Sequence, residues 1–245
     1  MIVLCTDFGL EGPYTGQVKT ILYRDAPGVP IIDLFADLPA GQPKPAAYLL
    51  AAYAIWFPPG TILLAVVDPG VGGTRPAVAI EADGRWYVGP ENGLFELVVR
   101  RADRVRCWEL SGCPDALSAS FHGRDLFAPA AARLARGDMP AGPSRAGRTG
   151  RCSDWPDDLP EIAYIDRYGN AMTGLRAELL PAAARLAAGG RVLARRRTFS
   201  DVPTGEAFWY ENSNGLAEIA VNSGRADTVL GLAIGSSVVI SGDCG

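Results

Sequence analysis

The chain has 245 residues, of which 48% are hydrophobic and 20% are charged, and it carries a net charge of -4. Its length suffices for one large domain or two modest ones, and its composition excludes disordered and fibrous proteins. The negative charge disfavours nucleic acids and anionic membrane surfaces as partners.

The first 135 or so residues alternate short β-branched segments with segments of helical periodicity. This pattern is typical of an α/β domain with a largely parallel central sheet. Strands are predicted at residues 2–5, 30–34, 61–67, 77–81, 86–88 and 104–109. Helices are predicted around the face formed by Tyr14, Val18, Ile21 and Leu22, and at residues 46–56, 91–100 and 125–136.

A second domain follows residues 137–160, which are rich in Gly, Pro, Ser, Asp and Arg and are interpreted as a linker. The predicted domains are therefore residues 1–145 and 146–245. Short helices are expected within residues 181–188 and between a capping Ser223 and Leu230. The other predicted elements are strands whose spacing favours a smaller β-barrel-like domain, at residues 161–166, 191–194, 207–210, 217–221 and 237–241.

The five cysteines are odd in number and widely scattered, and they lack the CxxC spacing of zinc or redox sites. They are expected to be reduced thiols at Cys5, Cys107, Cys113, Cys152 and Cys244. The longest apolar stretch, residues 46–57, is shorter than the roughly 18 residues that span a bilayer. Residues 2–5 are too short for the core of a signal peptide. We therefore expect a cytoplasmic protein.

Three predicted loops of the first domain carry polar side chains at the sheet edge where α/β proteins bind ligands. Asp7 follows the first strand, where it either caps the next helix or accepts hydrogen bonds from a ribose diol. Asp68 and Arg75 bracket a glycine-rich loop after the third strand. They form either a structural salt bridge or a proton acceptor beside a fixed positive charge. His122, the single histidine, precedes a predicted helix at the same edge.

Several common sites are excluded by their missing residues. No Lys-Ser/Thr pair follows the glycines after Asp68, so the loop is not a phosphate-binding P-loop. No GxSxG segment supplies a nucleophilic serine. One histidine with dispersed carboxylates does not form a zinc or non-haem iron site, so no metal is expected.

Six segments occur in order over nearly the whole chain: TDFG, VVDPGVGGTR, YVGPENGLFE, SFHGRD, IDRYGN and ENSNGLAEIAVN. Together they resemble the S-adenosylmethionine (SAM) hydroxide adenosyltransferase family, the SAM hydrolases related to fluorinase and chlorinase. The resemblance implies hydrolysis of SAM to adenosine and L-methionine without a cofactor. It also implies an N-terminal α/β domain, a C-terminal β-barrel-like domain and a homotrimer with active sites at subunit interfaces.

The resemblance also implies roles for matched positions in this chain. Asp68, Arg75 and His122 correspond to the residues that activate water. Asp7 corresponds to the residue that holds the ribose hydroxyls, and Phe121 packs beside the ribose or the sulfonium. The methionine-binding positions are Asp166, Tyr168 and Asn170. The adenine-binding positions are Phe199, Ser213, Asn214, Val221 and Ser223.

A SAM-dependent halogenase of the chlorinase type is the alternative within the same class. Asp68 argues against it, because a carboxylate beside the reacting carbon would repel a halide. Gly123 also lacks the hydroxyl that halogenating relatives use there. A non-catalytic SAM- or adenosine-binding protein and a structural oligomer are the alternatives outside enzymes, and the Asp-Arg-His combination disfavours both.

Overall fold

The polypeptide chain divides into two units, Met1–Cys152 and Ser153–Gly245. The predicted domain boundary between residues 145 and 146 adjoins residues 146–151. These residues lie outside the part of the chain that the structure describes, and so do Cys113 and Cys244. The computed structural model describes residues 1–110, 117–140, 142–145 and 152–241.

The first unit is built on a seven-stranded sheet with the order β2-β1-β3-β5-β4-β6-β7. Every residue of β1 and β3 is buried, as expected for strands covered on both faces. The strands are β1 Ile2–Thr6, β2 Ile31–Phe35, β3 Ile62–Val66, β4 Ala77–Ala82, β5 Arg85–Pro90, β6 Val105–Glu109 and β7 Ser144–Arg145. The predicted α/β class is thus confirmed.

The sheet is mixed, which corrects the prediction of a largely parallel one. Strands β2, β1, β3 and β5 are parallel, whereas β4 pairs antiparallel with β5 and β6, and β7 pairs antiparallel with β6. The reversal arises at Asp83 and Gly84, which join β4 to β5 with positive φ angles of 47° and 78°. A two-residue hairpin turn of this kind can connect only antiparallel strands.

Helices of the first unit begin and end close to their predicted positions, with two differences. The third helix starts at Glu96 rather than residue 91, after a turn in which Gly93 has a φ of 95°. The fourth is preceded by a π-helical turn, Gly123–Phe127. The helices are α1 Tyr14–Asp25, α2 Pro43–Ala54, α3 Glu96–Arg101 and α4 Ala128–Ala135.

One hydrophobic cluster joins the sheet to α1 and α4. Leu4 and Leu64 of the sheet are buried with Val18 and Leu22 of α1 and Ala131 of α4. The strands β1 and β3 are thereby fixed, and so are the loops that follow their carboxyl ends.

The second unit contains two antiparallel sheets with the orders β12-β13-β9-β8 and β11-β10-β14. Isolated bridges join their edges at Glu161–Ser237 and Arg195–Trp209. The two sheets enclose one core, so the barrel-like prediction agrees with the structure. The elements are β8 Leu159–Ile165, β9 Ala171–Arg176, β10 Arg185–Ala188, β11 Arg191–Ala194, β12 Ala207–Glu211, β13 Leu216–Val221, α5 Ala226–Leu230 and β14 Val239–Ser241.

Two local predictions in this unit were wrong, and one strand was missed. Residues 185–188 form strand β10 rather than part of a helix, because β10 pairs with both β11 and β14 and buries Leu186. Strand β9 was not predicted. Ser223 does not cap α5, since Arg225 holds the N-cap position and Ser223 lies in a turn with a φ of 57°.

Within the described part of the chain, no helix is both long and apolar enough to cross a membrane.

Candidate active site

Asp68 lies directly beyond the carboxyl end of β3, after Val67. The side chain of Asn92 fixes the backbone at this point, because its Nδ2 donates to the Val67 carbonyl at 2.8 Å. Asn92 Oδ1 accepts a hydrogen bond from the Leu94 N–H at 3.3 Å, which holds the side chain in place. Asn92 lies in a segment that supported the resemblance, but the sequence alone did not single it out.

Arg75 binds Asp68 through two of its nitrogens. Its Nε donates to both carboxylate oxygens at 3.0 Å, and its Nη2 donates to Oδ2. The Arg75 side chain is 12% exposed and the Asp68 side chain 5%, so the ion pair is largely shielded from water. The guanidinium also lies 5.2 Å from the ring centroid of buried Phe127, a cation–π arrangement. These contacts fix the orientation of the Arg75 guanidinium.

His122 completes a contact set that we call the Asp-Arg-His cluster: Asp68, Arg75 and His122. Arg75 Nη2 lies 2.9 Å from His122 Nδ1, although the residues are 47 positions apart. A guanidinium has only donors, so Nδ1 must be the acceptor and the ring proton of neutral His122 must be on Nε2. Burial, and then the charge of Arg75, lower the pKa of His122 below its usual 6.5. The histidine is therefore neutral near pH 7.

Gly72 brings the loop after β3 against the segment before His122. It adopts a φ of 78°, and a Cβ at this position would lie 2.4 Å from the Ala119 carbonyl oxygen. Only glycine fits both the backbone conformation and this close approach. The loop is further closed by a hydrogen bond from the Val71 N–H to the Asp68 carbonyl, at 3.3 Å.

Asp7 lies on the loop after β1 and is held by the backbone. The Gly41 N–H donates to Asp7 Oδ2 at 2.9 Å. Burial raises the pKa of Asp7, and the nearby charge of Asp68 acts in the same direction. Asp7 and Asp68 follow the same edge of the sheet, because β1 and β3 are parallel and Thr6 lies opposite Val66.

Phe121 belongs to a set of three aromatic rings near His122. Its centroid lies 5.7 Å from that of Phe8 and 5.3 Å from that of Tyr14. Tyr14, which belongs to the helical face predicted from periodicity, is half exposed. A Cβ on Gly123 would lie 2.9 Å from the Phe8 ring and 3.2 Å from the Phe121 ring. A serine here would require the rings to move.

The second unit places Asp166, Tyr168 and Asn170 on the turn between β8 and β9. Asp166 Oδ1 accepts from the Asn170 N–H at 2.9 Å, and Oδ2 accepts from Asn170 Nδ2 at 3.1 Å. Tyr168 at the tip of the turn is 75% exposed. The carboxylate is therefore oriented by its own turn and has lone pairs left for a further donor.

Phe199 lies in an aromatic cluster with Phe208 and Tyr210, whose ring centroids are 5.2 Å and 5.4 Å from its own. Ser213 and Asn214 form the turn between β12 and β13. Asn212 closes this turn, because its Oδ1 accepts from the Asn214 N–H at 2.9 Å.

Val221 and Ser223 lie at the end of β13 and in the turn that follows. Val221 is buried, whereas Ser223 is exposed and donates to Asn222 Oδ1 at 3.2 Å. Asn222 in turn donates to the Val202 carbonyl at 2.8 Å. This contact places the turn beside the segment that carries Phe199.

Family models match both parts of the chain. The model described as the SAM hydroxide adenosyltransferase N-terminal domain matches residues 2–142, and that of the C-terminal domain matches residues 160–239. A fluorinase of Nocardia brasiliensis is more distant, with 23% identity over 56% of this chain and 54% of its own length.

Curated relatives match over nearly the whole of this chain. A protein of Thermus thermophilus named (R)-S-adenosyl-L-methionine hydrolase is 42% identical over 97% of this chain and 98% of its own length. A protein of Salinispora arenicola with the same name is 35% identical over 98% of this chain and 97% of its own length. The crystal structure of an uncharacterized conserved protein from Thermotoga maritima superposes with a TM-score of 0.88 at 30% identity, covering 99% of this chain and 100% of that one.

Proposed function

The chain belongs to the SAM hydroxide adenosyltransferase family, and we propose that it hydrolyses SAM to adenosine and L-methionine at the Asp-Arg-His cluster. The observation that carries the proposal is the contact of Arg75 with both Asp68 and His122. A shielded carboxylate, a fixed cation and a neutral imidazole together offer a proton acceptor and donors to one water molecule.

Water suits this site as a nucleophile better than a halide does. The Asp68 carboxylate would repel chloride or fluoride near the ribose C5′ carbon. Gly123 supplies no hydroxyl for a halide, and a Cβ at this position would require the Phe8 and Phe121 rings to shift. Both features favour the hydrolase over the halogenase alternative.

Free hydroxide is not an intermediate in this proposal. Forming it from water at pH 7 costs about 12 kcal/mol, which an ordinary carboxylate cannot supply before the reaction. Instead, Asp68 orients the water and takes its proton as the C5′–O bond forms. A carboxylate has about four lone-pair sites, so Asp68 can accept this proton while it binds Arg75.

Arg75 and His122 stabilise the developing negative charge rather than act as bases. Arg75 holds its charge against Asp68, and His122 offers the Nε2–H of its neutral ring to the water oxygen. The second lone pair of that oxygen attacks C5′. Because Nδ1 already accepts from Arg75, His122 keeps this donor orientation throughout the reaction.

The leaving group needs no metal ion, so we propose that the enzyme uses no cofactor. Methionine departs from the sulfonium as a neutral thioether, with the C5′–S bond breaking as the C5′–O bond forms. Holding the water in line behind C5′ supplies much of the remaining rate advantage. Activity that survives prolonged treatment with a chelator supports this part of the proposal, and loss that added metal restores contradicts it.

The remaining positions are proposed to bind the substrate. Asp7, fixed by Gly41, accepts hydrogen bonds from the ribose diol, and Phe121 packs beside the ribose or the sulfonium. Asp166 faces the methionine ammonium group together with Tyr168 and Asn170. The adenine-binding positions are Phe199, Ser213, Asn214, Val221 and Ser223.

We also propose a cytoplasmic homotrimer with active sites at the subunit interfaces. The resemblance of six segments in both parts of the chain supports this assembly. Cys5 and Cys107 are free thiols in the described part of the chain, which supports a reducing compartment.

Substitutions in the cluster test the proposal. Asp68→Asn and His122→Ala are each expected to lower kcat by at least about 100-fold, because each removes a group that acts only in the transition state. Adenosine affinity, measured by calorimetry, should stay within about threefold of wild type, since neither change touches the proposed adenine positions. Near-normal turnover in either variant would refute the assignment.

A further inference from the structure

Glu218 is a buried carboxylate that the proposed reaction does not use. It lies in the middle of β13 and is 2% exposed. Its neighbours Ala217 and Ile219 point into the core of the second unit. Because side chains alternate along a strand, Glu218 lies on the opposite face of the sheet.

That face also carries the aromatic cluster of Phe199, Phe208 and Tyr210. Tyr210 stands directly opposite Glu218 across the β12–β13 pair, and Phe208 stands opposite Ala220 on the same face. Phe208 and Ala220 are buried together, with Phe199 and Tyr210 packed against them. The Glu218 side chain thus belongs to the face that presents Phe199.

Two neutral groups hold the carboxylate. The Tyr210 hydroxyl donates to Oε1 at 2.5 Å, and Asn212 Nδ2 donates to Oε2 at 2.8 Å. Burial raises the pKa of Glu218, whereas both hydrogen bonds lower it. Burying a carboxylate on neutral donors costs free energy that an apolar residue would not cost. Glu218 therefore needs a reason other than stability.

Each donor connects Glu218 to a different part of the proposed adenine site. The Tyr210 ring packs against Phe199, with centroids 5.4 Å apart. Asn212 Oδ1 accepts from the N–H groups of Asn214 and Leu216 at 2.9 and 3.0 Å, so it shapes the turn that carries Ser213. One carboxylate thus connects the Phe199 ring to the turn at residues 213–214.

We propose that Glu218 is a positioning residue that fixes Phe199 and the turn at residues 213–214 relative to each other, and so sets the affinity for the adenine end of the substrate. This inference rests on the proposed function, which assigns adenine to these positions. Glu218 touches neither the reacting atoms nor the Asp-Arg-His cluster in this account, so it acts on binding rather than on the chemical step.

Three variants separate this role from a structural one. Glu218→Leu keeps the volume but frees both donors, and it is expected to raise the adenosine dissociation constant and the KM for SAM about tenfold while kcat changes less than about threefold. Glu218→Gln can accept from Asn212 through its oxygen and donate to the Tyr210 hydroxyl through its nitrogen. It is expected to restore adenosine affinity to within about threefold of wild type. Tyr210→Phe keeps the ring and removes one donor, so it should give an intermediate affinity.

Glu211→Leu is the matched control, because Glu211 ends the neighbouring strand β12 and its side chain is 46% exposed, paired with Arg195. Its kinetics and its melting temperature should equal those of wild type. If Glu218→Leu is too unstable to purify, the adenosine affinity of Tyr210→Phe alone decides whether the proposal stands. Unchanged adenosine affinity in that variant, or in a folded Glu218→Leu, overturns the proposal. So does a fall in kcat with an unchanged KM.

The wild-type enzyme distinguishes failure of this inference from failure of the proposed function. If wild type releases no adenosine from SAM, the hydrolase assignment fails, yet calorimetry with adenosine still compares the variants. If wild type turns over and Glu218→Leu binds adenosine normally, only the role of Glu218 fails.

Discussion

At the scale of single residues, the protonation of His122 follows from its partner. Arg75 can only donate, so it imposes the Nε2–H tautomer and opposes the charged imidazolium. The sequence supplied the candidate, but not this tautomer, because Arg75 and His122 are 47 positions apart and meet only through the fold.

We predict that His122 titrates below its usual pKa of 6.5, because burial and the Arg75 charge both disfavour the protonated ring. The chain contains one histidine, so a single imidazole signal reports it in NMR spectra of protein purified without a histidine tag. Long-range nitrogen–proton correlations should show Nε2 protonated at pH 7. A midpoint above 6.5, or a proton on Nδ1, would contradict the arrangement.

The lowered pKa of His122 determines how folding stability changes with pH. The unfolded chain binds the His122 proton more tightly than the folded one, so the contribution of His122 to stability is full above pH 6.5. It is lost as the pH falls through the folded pKa. The acid-side loss of stability should therefore be smaller in His122→Ala, as measured by chemical denaturation at pH 7 and pH 5. An equal loss of stability in wild type and His122→Ala would contradict this prediction.

Among the secondary-structure elements, the strands of the first unit could be predicted from the sequence because their β-branched residues recur between helical segments. Two strands of the second unit, β9 and β10, could not be predicted in this way. Strand β9 has Gly174 in its interior and no clear alternation, and β10 lies in an alanine-rich segment with a high intrinsic helix propensity. Pairing of β10 on both edges outweighs that propensity.

The loop after β3 is the element on which the cluster depends. Gly72→Ala should lower both the melting temperature and kcat, the latter at least about tenfold, because its Cβ would clash with the Ala119 carbonyl and displace the segment before His122. Steady-state kinetics and thermal unfolding measure the two effects.

Gly137→Ala provides the control for backbone strain. Gly137 has a similar φ of 90°, but a Cβ there would meet nothing within 4 Å. This variant should lose some stability and keep wild-type kcat. If both variants have the same kcat, the contact between the two loops has no catalytic importance.

At the scale of the whole molecule, the α/β and barrel-like units were predictable because composition and periodicity change along the chain. The mixed sheet was not, since the direction of β4 depends on the short turn at Asp83 and Gly84. The proposed positions for reaction and methionine binding are distributed over both units, as are the two matched family models.

The proposed trimer makes a prediction at this scale. Light scattering should give the mass of three 25.9 kDa chains, and specific activity should fall on dilution as trimers dissociate, because each active site would need two subunits. A fully active monomer would contradict the interfacial site.

Incubation of the enzyme with SAM in ¹⁸O-labelled water, with and without chloride, followed by mass analysis of the nucleoside, shows whether water attacks C5′. Attack of water at C5′ predicts adenosine labelled at O5′, in equal amounts under both conditions. Unlabelled adenosine, or 5′-chloro-5′-deoxyadenosine that forms only with chloride, would contradict the account.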